Sequence, residues 1–454
     1  MLQTHNNSNK TRKIYTEDQI CALRSMHDFI LSDRQFFRLS GYAGTGKTYV
    51  VNRLLREANE EGLAVVFAAP SNQAVKNFVN ANEELSTDVL CVTVAQLLKM
   101  HPLFCETRGE EIFIPSPGGL VLETFDLIVI DEYSLLSSRD FDRLVDNVLG
   151  TMTQVIFVGD PAQIPPVKEE MPIVDYTDLI DRHSTMKEVV RHTGDILSAT
   201  VKLRTGITLD WSDYKNDGSV ETLPKRKWLR KMEDYYSDPK YILNTDYVKT
   251  LAWRNKAVNF YNEHIRDIYL GKEKSKEEFI PGDYLIVKKP VVRQVNIEGA
   301  SKYRMPTKKA VVLATSEEVE VITVQAPKYF RISVGNVWHT LKYFELLVLS
   351  KSRDFLTTVA VPSFESKELI QELLKVLKEQ ATITMDWSKY KKLYYFFDHL
   401  DYSYSLTIHK SQGSTYDVVF IDVADIRKSR DRVKLLYTAF TRARKKVYLC
   451  LEGL

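Results

Sequence analysis

Apolar residues recur along this chain in two rhythms, and the change from one to the other divides it into unlike regions. From Glu17, the positions Ile20, Leu23, Met26, Phe29 and Ile30 fall at helical spacing and predict an amphipathic helix. FFRLS (Phe36–Ser40) reads as a strand, followed by a glycine-rich turn and a helix over Tyr49–Ala58. AVVFAAP, LIVIDE (Leu127–Glu132) and TQVIFVGD (Thr153–Asp160) are further short apolar strands alternating with helices. Strands that are apolar on both faces need cover on both faces, which predicts a parallel sheet and an α/β fold. YVKTLAW (Tyr247–Trp253), DVVFID (Asp417–Asp422) and KKVYLCLE (Lys445–Glu452) predict a second sheet of the same kind.

Between these halves, from Gly282 to about Tyr402, the rhythm shortens. DYLIVKKPV, KAVVLAT, EEVEVITV, YFRISV and ELLVLS are short strands separated by Gly, Pro and charged turns. That spacing predicts a small β-barrel inserted into the second α/β half. A helix over Ser366–Glu379 and an aromatic run, Trp387–Phe397, follow it. Residues 1–13 form a polar lead-in, expected to be disordered.

Length and charge narrow the picture. At 454 residues the chain exceeds one ordinary core and implies two to four domains. Lys+Arg number 62 against 60 Asp+Glu, a net charge of +2, so grip on nucleic acid by global charge is excluded. Any such contact must come from a local groove, through hydrogen bonds and stacking. The four cysteines show no CxxC spacing and read as free thiols. With no apolar leader and no apolar run of membrane-spanning length, a soluble cytoplasmic protein is expected.

The chemistry concentrates in one turn. Gly41–Thr48, GYAGTGKT, fits G-x-x-x-x-G-K-[ST] between a strand and a helix, the context a phosphate-binding loop requires. Its glycines, Gly44 and Gly46 among them, let the backbone N–H groups around Thr45 point at phosphate oxygens. Lys47 is expected to reach the β- and γ-phosphates of ATP and Thr48 to bind Mg²⁺. Asp131 and Glu132 close an apolar strand, where a second Mg²⁺ ligand and a water-activating base belong. A third strand-end acid, Asp160, lies in GDPAQIPPV, where Gln163 is positioned to contact the γ-phosphate or the attacking water.

Taken together, TEDQ (Thr16–Gln19), GYAGTGKT, AAPSNQA (Ala68–Ala74), IDEYS, GDPAQIPPV, the segment around Arg191, LTIHKSQGSTYD and YTAFTRAR occur in fixed order. In this order they resemble superfamily 1 helicases of the 1B branch, the RecD and Dda type, over nearly the whole chain. Length and spacing look closest to Dda-type phage helicases. The resemblance implies two RecA-like P-loop lobes (1–92 with 126–190, and 191–282 with 403–454). It also implies a β-hairpin pin in the first lobe (93–125) and an SH3-like β-barrel with a tower in the second (283–402). It implies a monomeric motor travelling 5′-to-3′ on single-stranded DNA, in replication, recombination or repair. Single-strand–duplex junctions are its expected substrate, and a single-stranded-DNA-binding protein or replisome component an expected partner.

Site residues carry over by position. Gln19 matches the glutamine that reads adenine. Arg191 and Arg442 match arginine fingers contributed by the second lobe, where a guanidinium stabilises charge developing in phosphoryl transfer. Gln412 and Gly413 lie in the nucleotide-sensing loop. Pro70, Ser71 and Asn72 match positions holding the DNA backbone. Thr93 begins a further DNA segment, in which Ala95 replaces the family's usual histidine. Thr407, His409, Lys410 and Ser411 match the DNA-facing segment of the second lobe. Trp253, Arg254 and Asn255 stand at a strand end, with Trp253 equally suited to a core. Phe104 and Phe113 flank the pin's turn, Glu106–Glu111, although an inert surface hairpin has the same pattern. Trp387, Tyr390 and Tyr394 resemble a tower hook that packs on the pin, and would serve as well for a helix burying its rings in its own domain. Two other readings stay open: a nucleic-acid clamp with a vestigial ATP site, and a translocase or RNA helicase that separates no DNA strands.

Overall fold

The computed structural model describes residues 15–452 apart from 83–87, 108–109, 116–121, 167–168, 192, 208, 211–213, 215–216, 297–306 and 351–353. The polar lead-in and part of the expected pin turn lie outside the described residues. Six parallel strands form the first sheet, in the order Leu90–Thr93, Val65–Ala69, Leu127–Ile130, Gln154–Gly159, Phe36–Gly41, Arg182–Met186. Apolar cores cover both its faces, one including Val50, Leu54 and Phe67 and the other Phe141, Leu144 and Phe157. The helices that close these cores start as their sequence dictates. Thr16 caps Glu17–Ile30 in a reciprocal capping box with Gln19, and Ser71 caps Asn72–Ala81. Lys47–Glu60 begins two residues earlier than its apolar pattern suggested, because Gly46, at φ +88°, turns the chain directly from the loop into the helix.

The second parallel sheet runs Ser405–Thr407, Val248–Ala252, Tyr416–Asp422, Ala443–Cys450, Val220–Leu223. In both sheets, the loops that carry the sequence motifs Gly41–Thr48, Asp131–Glu132 and Ile408–Gly413 leave the carboxyl ends of the strands, where open α/β folds bind ligands. The inserted region is antiparallel. Its strands run Lys328–Val334, Val337–Ser350, Glu318–Val324, Tyr284–Val287, Leu400–Tyr402, with Phe355–Pro362 also paired to Val337–Ser350. The described pairing is an open path, with Val291–Asn296 and Thr307–Leu313 forming a separate ribbon. Tyr284, Val319, Val348 and Val361 from this insertion share one core with Trp228, Tyr261 and Phe420 of the second lobe, which welds the two together.

Two features exceed the sequence pattern. ELLVLS is the end of a strand of 14 residues, because Val337–Phe344 extends it as a ribbon with Lys328–Val334. The helix expected over Ser366–Glu379 runs Phe364–Thr384 and is followed by Ser388–Phe396. Both helices pack on one face of that ribbon through Ile370, Leu373, Leu377, Tyr390 and Leu393.

Candidate nucleotide cleft and nucleic-acid track

The phosphate loop connects Phe36–Gly41 to Lys47–Glu60 and floors a cleft of about 600 Å³. From the first lobe the cleft gathers Gly44, Gly46, Lys47, Thr48, Asp131, Glu132 and Gln163. Gly413, Arg442 and Arg444 line it from the second lobe, and Arg191 from the segment joining them. Segments nearly 400 residues apart in sequence therefore converge on one loop.

Asp131 and Glu132 follow the strand Leu127–Ile130 directly. Burial, then the adjacent Glu132 carboxylate, push the Asp131 carboxyl up to about 7, opposed by the Glu132 N–H and Lys47. A buried oxygen of Glu132 and one of Gln163 have no hydrogen-bond partner. Glu132 sits at φ +52°, a left-handed conformation costly for a residue with a side chain and common at working sites. Buried carboxylates and unpartnered oxygens beside a lysine and a threonine hydroxyl make a donor set that fits Mg²⁺ and a triphosphate.

The Lys47 ammonium donates to the Gly41 and Tyr42 carbonyls, at 2.6 and 3.1 Å. Gln19 is engaged at both ends of its amide. Its Nε2 donates to the Thr45 carbonyl at 3.0 Å and its Oε1 accepts from the Thr16 N–H, so in this structure it braces the phosphate loop. It also crowds Gly46, whose Cβ would fall 2.5 Å from Gln19 Nε2, so a side chain there would have to displace the Gln19 amide.

The arginines differ from each other. Arg442 is buried and held by its own lobe, donating to the carbonyls of Thr438 and Ser414 and to the Thr441 hydroxyl. Arg191 was expected on the second lobe. Instead its N–H and that of Val190 both donate to the Gly44 carbonyl, at 3.0 and 2.8 Å, tying it to the phosphate loop. Much of Arg191 is solvent-exposed, but its guanidinium lies in the cleft, where burial and then Arg442 and Arg444 lower its pKa.

Polar contacts across the lobes that motif reading missed close the cleft floor. The Tyr437 hydroxyl donates to Asp160 Oδ2 at 2.7 Å and accepts from the Ala43 N–H at 3.2 Å. Gln412 Nε2 donates to the Ile164 carbonyl at 3.2 Å, and the Arg204 guanidinium stacks 3.7 Å from the Tyr42 ring centroid. The Asn77 amide donates to the Gly413 carbonyl. Tyr437 and Arg444 lie inside YTAFTRAR, so their segment was legible; nothing in sequence marked Asn77 or Arg204.

A second cavity, about 470 Å³, lies on the other side of the helix Asn72–Ala81, and only two of the expected DNA-contacting residues reach it. Asn72 and Lys410 line it, together with Lys76, Gln96, Asn244 and Tyr284. Burial and the neighbouring Lys288 lower the Lys410 pKa to about 8, and burial lowers that of His409. Pro70 follows its strand, half-buried, and Ser71 caps the helix, lying beside Gly413. Thr407 caps the turn Ile408–Ser411. Ser411 departs from the expectation for a DNA-facing side chain: it is fully buried and its hydroxyl closes that turn on the Ile408 carbonyl. Thr93 is likewise buried as a helix cap paired with Gln96. Trp253 packs partly into the second-lobe core, while Asn255 opens its helix exposed. Arg254 pairs with Asp425.

Met100–Cys105 and Glu110–Pro115 form the hairpin predicted for the pin. Phe104 lies 5.2 Å from the Trp387 ring and 5.4 Å from Tyr390, with Tyr394 at 6.3 Å. Lys391 pairs with Glu106 at 2.6 Å. Trp387 and Tyr390 are thus both buried in their own domain and in contact with the hairpin. Phe113 stays exposed, its carbonyl accepting from Arg139 and Arg143.

Fold and cleft define a two-lobed P-loop ATPase. Residues 15–225 match the family model described as AAA domain, and residues 402–450 that of the UvrD-like helicase C-terminal domain. The chain is therefore a helicase-type ATPase. An uncharacterized protein of Acanthamoeba polyphaga mimivirus is 24% identical, with 96% of this chain and 99% of that protein covered. The RecBCD enzyme subunit RecD of Buchnera aphidicola is 19% identical, with 89% and 68% covered. Among solved structures, Pif1 helicase from Candida albicans covers 97% of this chain and 95% of its own, at 15% identity and TM-score 0.46. Among the described residues, no helix is long and apolar enough to cross a membrane.

Proposed function

We propose that the protein is a superfamily 1B DNA helicase of the RecD and Dda type, an ATP-driven motor moving 5′-to-3′ on single-stranded DNA. The carrying observation is the cleft, where Lys47, Asp131, Glu132 and Gln163 of one lobe face Arg442 and Arg444 of the other, with Arg191 at the joint. In this reading Lys47 binds the β- and γ-phosphates, Gln163 orients the attacking water and Glu132 accepts its proton. Thr48 and Asp131 would hold Mg²⁺, which neutralises phosphate charge when bound. Arg191 and Arg442 steady the charge that develops on the transferred phosphoryl group.

Because the two arginines are carried on different elements, closure of the lobes brings the set together, and hydrolysis releases it. The Gly413 loop touches Ser71 and Asn77, so closure is transmitted to the helix that separates the cleft from the second cavity. Asn72, Lys76 and Lys410 would then grip and release the backbone there. The pin docked on Trp387 and Tyr390 supports strand separation over bare translocation. The expected domain division, monomeric state and Dda-type placement are part of this proposal and rest on the motif spacing.

Two measurements test it. ATPase activity should be strongly stimulated by single-stranded DNA; stimulation that survives Lys47→Ala sinks the assigned site. A strand-displacement assay should release duplexes bearing a 5′ overhang and spare those with only a 3′ overhang. The opposite preference overturns the polarity.

A further inference from the structure

The ribbon formed by Lys328–Val334 and Val337–Phe344 has two unlike faces. One, with Phe330, Ile332, Val334, Leu341 and Tyr343, is buried under the two tower helices. Strand alternation puts Tyr329, Arg331 and Ser333 on the other face, opposite Lys342, Thr340 and Trp338 in the pairing register. Here Tyr329 is 63% exposed and Trp338 71% exposed. A tryptophan is normally among the residues a fold hides, and two large rings presented on one flat strand face mark a contact surface.

The charge on this face selects the partner. None of its six residues is acidic. Arg331 is exposed and makes no ion pair among the described residues. Lys389, from the hook helix, reaches around the edge so that its ammonium lies 3.3 Å from Ser333 Oγ. Lys328 and Lys342 are neutralised by Glu345 and Glu278, which leaves Arg331 as the cation of this face without an ion pair among the described residues, while Lys389 adds charge at the edge beside Asp386. Exposed rings interleaved with cations suit bases that stack and phosphates that pair, the recognition of a single strand without sequence preference.

Location indicates which strand. Lys389 adjoins Trp387 and Tyr390, the two rings against which the pin's Phe104 packs. The helix that holds the pin's ring therefore also reaches the edge of the platform through Lys389, and the platform lies outside the cavity that holds Asn72 and Lys410.

We propose that Tyr329, Arg331 and Trp338 form a second single-stranded DNA site that receives the strand displaced at the pin. This rests on the helicase reading, and the test separates the two. The full chain is bound to forked DNA, with and without a single-stranded displaced arm, in a non-hydrolysable ATP analogue, and affinity is read by fluorescence anisotropy. The displaced arm should tighten binding, and Tyr329→Ala/Trp338→Ala should remove that gain, about fivefold or more, the lower end for one stacked base. Trp338→Phe should restore part of it and Arg331→Glu should weaken it in a salt-dependent way. ATPase stimulated by the loading strand alone should be unchanged in all three, which also shows that they fold. Equal affinity with and without the arm, or a double variant that keeps the gain, overturns the platform while leaving the motor intact. A photo-crosslinker at position 338 should label the displaced strand; labelling only the loading strand also overturns it.

Discussion

The nucleotide cleft and the pin–hook contact are both built from segments far apart in the chain, yet they are held in opposite ways. The cleft is polar, and its geometry is fixed by buried hydrogen bonds such as Tyr437 to Asp160 and Ala43. Among the described residues, the pin–hook contact is one ring, Phe104, among Trp387, Tyr390 and Tyr394, with two exposed polar contacts, the Lys391–Glu106 ion pair and a hydrogen bond from the Tyr395 hydroxyl to Glu111. Charge and hydrogen bonding demand particular residues at particular distances, whereas ring packing asks only for apolar volume and shape. The cleft should therefore fail abruptly when one group is lost, and the pin should weaken by degrees.

The largest effect tests the first half of that contrast. Arg442→Ala should leave ATP binding near normal while turnover falls on the order of a thousandfold, the range for a lost arginine finger. Equilibrium binding of a fluorescent ATP analogue beside single-turnover hydrolysis measures both, and a normal turnover rate removes its assigned role. Phe104→Ala should next lower unwinding by roughly tenfold, since aromatic pairs contribute about 0.5–1.5 kcal/mol each. Its single-strand-stimulated ATPase should hold; if both fall together, the hairpin is part of the motor and not a separator.

Tyr437→Phe removes a hydroxyl that bridges the lobes, a bond to a charged group worth about 1.5–3 kcal/mol when buried. Asp160 keeps its bonds to the N–H groups of Ala43 and Ala162, so the expected loss is near the lower figure, seen as a rise of about tenfold in KM for ATP. An unchanged KM would show that the bridge does not support closure.

The smallest effect concerns pH. The Lys410 pKa is lowered to about 8 by burial and Lys288, and a DNA phosphate would favour the charged form and raise it. Binding is then proton-linked: full below about pH 8 and weaker as pH rises through it. Affinity for single-stranded DNA should fall a few-fold between pH 7 and 9, and Lys410→Arg should flatten the profile. A wild-type profile already flat would remove Lys410 from the track.

Strand–turn–helix punctuation around GYAGTGKT placed the phosphate loop, and mostly apolar strands announced the centres of both parallel sheets, because burial on two faces leaves little polar alternation, whereas the edge strands Arg182–Met186, Ser405–Thr407 and Val220–Leu223 carry no such run. Lys47, Asp131 and Glu132 were legible for the same reason: each follows such a strand, and topology sends strand ends to one edge. Local pattern could not say that Arg191 is bonded to Gly44, that Ser411 and Thr93 use their hydroxyls as turn and helix caps, or that Gln19 braces the loop. Those outcomes depend on which partner lies within reach after folding. Trp338 and Phe104 make the point most plainly. Both are apolar residues on strands, yet one ring is left in solvent and the other meets a helix nearly 300 residues away. Period-two alternation assigns a residue to one of two faces, but only packing decides which face is covered and by what.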